Sequence, residues 1–142
     1  MPTSFDYHSV LEMPLGFWRW PHFSPAAEWA CKETGRIVVV PDFMDRLEAL
    51  RSACGFALPI SSGYRSPEHD EKVGTSATPG AGPHTLGMAC DIAITNPQIG
   101  ILIRHALDLG FTGFGLSQKE GASAKFVHID TVHASDTWWS YL

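Results

Sequence analysis

Gly82-Pro83-His84-Thr85-Leu86-Gly87-Met88-Ala89-Cys90-Asp91-Ile92-Ala93-Ile94 reads as a loop that turns into a strand. Glycine and proline open it, His84 follows, Gly87 supplies a turn, and the apolar run carries Asp91 close to its start. Neutral imidazole and carboxylate are both good zinc ligands, and the six residues between His84 and Asp91 fold back easily. A surface histidine and an aspartate capping a strand end would also explain the pair. Catalytic zinc usually takes three protein ligands and keeps one position open, so a third ligand must come from elsewhere in the chain.

Two further clusters answer that need. Phe126-Val127-His128-Ile129-Asp130 alternates, so a strand with period two puts His128 and Asp130 on one face and Val127 and Ile129 on the other. A half-exposed amphipathic strand would show the same pattern, but a strand turning His and Asp inward needs partners for its buried polar groups. Ser61-Ser62-Gly63-Tyr64-Arg65-Ser66 closes another strand, and an arginine fixed there can grip a carboxylate bidentately or stabilise an oxyanion.

Ser-Gly-Tyr-Arg-Ser at 62 to 66, His-x-x-Gly-x-Ala-x-Asp at 84 to 91 and Phe-Val-His-Ile-Asp at 126 to 130, in this order and at these separations, resemble the zinc D-alanyl-D-alanine carboxypeptidase family. The likeness is closest to its compact peptidase and endolysin-type branch and spans about residues 22 to 131. It implies an α+β fold shared with the Hedgehog domain and the D,D-dipeptidases: a small antiparallel sheet, helices packed on one side, and a zinc site at the sheet. By position it implies His84, Asp91 and His128 as ligands to one Zn2+ and Arg65 as the substrate-contacting arginine. The implied substrate is the peptide stem of peptidoglycan, cut at a D-Ala-D-Ala or similar cross-link bond.

One position departs from that pattern. Many relatives place a glutamate base three residues before the last ligand; here Lys125 stands there and cannot serve as a base at neutral pH. Asp130, on the same strand face as His128, is the candidate for base or for a group that orients His128. His133 and Glu120 are weaker alternatives for the base. Tyr64, Ser62 and His133 join Arg65 as candidate substrate-binding residues. The missing glutamate keeps a rival reading open, a zinc-stabilised domain that binds cell wall without turnover.

The rest of the chain supplies the frame. Residues 1 to 23, rich in aromatics and proline, read as an irregular arm on a zinc peptidase domain of residues 24 to 142. Ser24-Pro25 starts a short helix over Ala26 to Lys32, and Arg36 to Val40 is a short strand. Pro41-Asp42 opens a helix whose Phe43, Leu47, Leu50 and Cys54 form one stripe, stopped at Gly55. Leu58 to Ser62 is a strand, Ser66-Pro67 starts a polar helix ending near Gly74, and Thr75 to Pro83 is a loop. Asn96-Pro97 caps a third helix with Ile99, Leu102, Ile103, Ala106 and Leu109 or Leu107 inward. Phe111 to Leu116 and Lys125 to Thr131 make a hairpin, and Trp138-Trp139 packs on the core or offers a sugar platform.

Composition narrows the function classes. Ten Lys and Arg against 15 Asp and Glu leave a net charge of −5, which disfavours a nucleic-acid partner. No apolar run is long enough to span a membrane, and Met1 to Tyr7 has no leader-like pattern. The expectation is a monomer, cytoplasmic until it is released to the wall in the manner of a phage or prophage lysin. Cys31, Cys54 and Cys90 are odd in number and without a CxxC pair, so they read as reduced thiols.

Overall fold

The computed structural model describes residues 2–68, 82–120 and 125–141. The polar helix expected from Ser66-Pro67 falls almost wholly outside them, with His69, Asp70, Glu71 and most of the loop before Pro83. Among the described residues the architecture is α+β, a five-stranded sheet with helices packed on one face.

The chain begins with β1, Phe5–Tyr7, paired antiparallel with β2, Ile37–Val39. The aromatic arm is therefore tied into the fold, and its lack of a clear period reflects a short strand followed by turns. Trp20 and Phe23 are buried in the core, and the Trp20 indole N–H donates to Asp45 Oδ1 at 2.8 Å. Ser24 caps a single wide helical turn, Pro25–Trp29, accepting from the Ala27 amide. That turn ends before the expected Lys32 because the Cys31 amide pairs with the Arg36 carbonyl instead.

Helix α1, Pro41–Cys54, buries Phe43, Met44, Leu47 and Leu50 and stops at Gly55, which is left-handed at φ 74°. Met44, outside the expected stripe, widens the face that meets the core. Helix α2, Gln98–Asp108, buries Ile99, Leu102 and Ala106; Leu109 packs against the core while Leu107 stays exposed. Pro97, not Asn96, occupies its cap position, without a side-chain capping bond.

The sheet runs β3-β4-β6-β5-β7. Its strands are β3 (Ile60–Ser62), β4 (Ala89–Ile92), β5 (Gly113–Ser117), β6 (Phe126–Asp130) and β7 (Thr137–Ser140). Strands β5 and β6 form the expected hairpin. Strand β7 was not foreseen and runs parallel to β5, so the sheet is antiparallel but for that edge. Cys90, Ile92, Phe114, Val127 and Ile129 point to the helices and are fully buried.

Candidate metal centre

The other face of the sheet carries the polar residues, and strand register lines them up. One row crosses all five strands: Ser62 pairs with Asp91, Asp91 with His128, His128 with Gly115, and Gly115 with Trp139. The next row pairs Ala89 with Asp130 and Asp130 with Gly113. Directly opposed residues on one face hold their Cβ atoms about 5 Å apart, so Asp91 and His128 meet because of register alone. His84 arrives from the loop before β4, whose backbone is tied to the end of β3 by the Arg65 amide donating to the His84 carbonyl at 3.3 Å.

Three side-chain atoms converge. His84 Nε2 lies 3.2 Å from His128 Nδ1, His128 Nδ1 3.2 Å from Asp91 Oδ1, and Asp91 Oδ1 3.4 Å from His84 Nε2. A tetrahedral zinc with ligands at about 2.0–2.1 Å has ligand-to-ligand edges of about 3.3–3.4 Å. The triangle matches that spacing, and two imidazoles with one carboxylate form a zinc-compatible donor set. All three residues are buried.

The second nitrogen of each imidazole is occupied away from the triangle. His84 Nδ1–H donates to the Gly63 carbonyl at 2.8 Å, and His128 Nε2–H donates to Asp130 Oδ2 at 2.7 Å. Each outer bond fixes the tautomer that leaves the inner nitrogen a lone pair. Asp130 is fully buried, and its other oxygen accepts from His133 Nδ1 at 2.8 Å and the Val132 amide at 3.1 Å.

Charge follows this bonding. Burial is the largest influence on Asp91 and would raise its pKa, yet hydrogen bonds from His128 and His84 hold it well below the usual carboxylate range. Burial likewise pushes Asp130 up, and bonds from His128 and His133 bring it down. Burial pushes His128 down, and its bonds to Asp130 and Asp91 raise it.

The remaining site residues divide. Arg65 reaches Asp91 Oδ2 at 3.4 Å, while its Nε donates to Ser62 Oγ at 3.2 Å. Ser62 thus aims the guanidinium. His133 sits behind Asp130 and beside the Trp139 ring, 5.6 Å between centroids. Tyr64, expected at the substrate, turns the other way and is buried among core residues. Burial raises its pKa, and its charged neighbours are Arg36, Asp6, Cys31 and Glu68. Glu120 pairs with Lys125 at 3.3 Å and is almost fully exposed.

Several contributors escaped sequence reasoning. A Cβ on Gly113 would meet Asp130 Oδ2 at 2.2 Å, and one on Gly115 would meet Trp139 Nε1 at 2.4 Å. These two glycines make room on β5 for the carboxylate and the indole. The sequence signal was present: glycine inside a strand pattern marks a close approach, and Gly113-Phe114-Gly115 places two on one face. Trp139 stands 5.1 Å from the His128 ring, so of the two C-terminal tryptophans only Trp138, stacked on Phe114 at 4.5 Å, lies on the helix side.

A family model described as Peptidase M15 matches residues 21–130. This span takes in Arg65, the three converging residues and Asp130, and the chain belongs to the M15 family of zinc D-alanyl-D-alanine carboxypeptidases, a class of metallopeptidases. No curated protein matches the chain. No helix among the described residues is long and apolar enough to cross a membrane.

Proposed function

We propose that the protein is a zinc D,D-peptidase that hydrolyses an amide bond in the peptide stem of peptidoglycan, as a D-Ala-D-Ala carboxypeptidase or D,D-endopeptidase. The observation carrying this reading is the near-equilateral triangle of His84 Nε2, Asp91 Oδ1 and His128 Nδ1, with both outer imidazole nitrogens already bonded. These three atoms would hold one zinc ion. Zinc in such a site supplies acidified water and a polarised carbonyl for amide hydrolysis.

The chain's own residues do the rest. Gly63 and Asp130 hold the outer nitrogens of the two imidazoles, so each histidine in its neutral form presents its lone pair inward. Of the two roles open to Asp130, orienting fits its bonding, because a fully buried carboxylate with both oxygens engaged does not reach a substrate water. Asp130 is therefore a positioning residue, and His133 extends the same chain of bonds. Arg65, aimed by Ser62 and set beside Asp91, offers its positive charge to the substrate's carboxylate or to the developing oxyanion.

The test uses purified protein and cell-wall sacculi. The expected result is one zinc per chain and newly released amines that chelator abolishes and zinc restores. His84→Ala should lose both metal and release; undiminished release from a metal-free variant would overturn the reading. Zinc at one per chain with no release would favour a wall-binding domain instead, the reading kept open by Lys125. End-group analysis assigns the bond: free D-alanine marks a carboxypeptidase, split cross-links an endopeptidase.

A further inference from the structure

The register row that carries Asp91 and His128 continues past them to Gly115 and Trp139, and the residue two positions beyond Trp139 is Tyr141. The Tyr141 amide donates to the Leu116 carbonyl at 3.0 Å, so the β7 pairing extends to it and period two returns its side chain to the metal-site face. Its ring packs against Phe126 at 5.1 Å and toward Trp139 at 6.5 Å. A Cβ on Gly115 would strike Trp139 Nε1 and Cε2 and a Tyr141 ring carbon at 2.8 Å. Both rings therefore lie over the bare backbone of Gly115, immediately beside His128.

We propose that Tyr141 is a catalytic residue of this site, its hydroxyl donating a hydrogen bond to the scissile carbonyl oxygen as that oxygen gains negative charge. The proposal rests on the peptidase reading above. The indole N–H of Trp139 is a donor only, so toward Tyr141 the phenol oxygen accepts and the phenol proton stays available. Gly115 is the register partner of His128, so the Tyr141 ring over Gly115 stands on the same face as the ligand triangle and next to it. Burial keeps that phenol protonated at neutral pH. A donor here, held by Trp139 and Phe126, would add oxyanion stabilisation to that of Arg65. Trp139 is the positioning residue.

The experiment measures binding as well as turnover. A phosphinic analogue of D-Ala-D-Ala carries the tetrahedral oxygens of the transition state, whereas the dipeptide D-Ala-D-Ala does not. In zinc-loaded Tyr141→Phe, calorimetry should show the phosphinate weakened on the order of 100-fold and the dipeptide within threefold of wild type, kcat falling with KM nearly unchanged. Zinc content and melting temperature should match wild type. Should Tyr141→Phe fold poorly, Trp139→Phe carries the same test with a loss of about tenfold, again confined to the phosphinate. Equal phosphinate binding by wild type and the folded variant overturns the role of Tyr141 and leaves the peptidase reading intact. Failure of zinc-loaded wild type to bind the phosphinate overturns the role of Tyr141, and failure to cut sacculi overturns both.

Discussion

The two faces of the central sheet are built from the same strands on different principles. Toward the helices, Cys90, Ile92, Phe114, Val127 and Ile129 are held by burial, which is proportional to area and indifferent to direction. Toward the site, Asp91, His128 and Asp130 are held by directed bonds of 2.7–3.2 Å, and the neighbouring strand gives up two side chains to admit them. One residue of register separates the faces, so a slip would exchange them wholesale. The core face makes the fold, and the site face uses its regularity as a ruler.

Paired substitutions at adjacent positions break this comparison most sharply. His128→Ala should abolish stoichiometric zinc and lower hydrolysis by at least about a thousandfold, while the metal-free melting temperature changes far less. Ile129→Ala, one residue on, should do the reverse, costing about 2–5 kcal/mol of stability with zinc still bound one per folded chain. Metal analysis and denaturant melts on both variants check the exchange. Similar losses of stability from the two would show that the faces are not separable.

A finer test alters the site face without touching any residue that would meet metal. In Gly113→Ala the new methyl falls where Asp130 Oδ2 sits, and the carboxylate must move off His128 Nε2. Zinc affinity should fall about 10- to 100-fold, as removal of an outer-shell partner does, and Asp130→Asn should match it. Competition with a chromogenic chelator reads the change. Unaltered affinity in both would remove Asp130 from the site's function.

Acidity separates the faces again, because Asp91, His128 and Asp130 all lie on one of them. In metal-free protein the raised pKa of His128 contributes stability that is fully present below about 6.5 and fades as pH rises through the raised value. The depressed Asp91 and Asp130 contribute stability present above about 3.9 and lost as pH falls through their lowered values. Melting temperature without metal should therefore be highest between about pH 4 and 6.5, dropping a few degrees on the alkaline side. Zinc takes the place of the proton on His128, so the zinc-loaded protein should lose that alkaline decline. A decline that zinc leaves unchanged would place the titrating group elsewhere.

How much of this was legible in the sequence follows from how local each determinant is. Period two in Phe126 to Asp130 and the 3.6-residue stripe of α1 are short-range patterns, and both faces could be read from them. The three converging residues were legible because ordered motifs mark them, although the distances that make them a triangle come from the pairing of β4 with β6. Strand β7 was not legible, since Thr137 to Tyr141 finds its place only by lying parallel to a strand some twenty residues earlier. The burial of Tyr64 among core residues was not legible either, because it borders Arg65 in one motif and only the packing of the core separates the two.

The smallest expected effect falls at Lys125, the position where a glutamate base stands in many relatives. Its ammonium pairs with Glu120 at 3.3 Å, and Glu120 is almost wholly solvent-exposed. An exposed pair of this kind contributes about 0–1 kcal/mol and is screened by salt. Lys125 also lies just outside β6, before the alternation that sorts residues between the faces. Lys125→Ala should therefore keep turnover within about twofold, zinc at one per chain, and stability within about 1 kcal/mol. Steady-state kinetics on sacculi and a denaturant melt suffice to check it. A large loss of turnover at unchanged zinc content would make Lys125 a participant in the chemistry and extend the site face one residue beyond the strand.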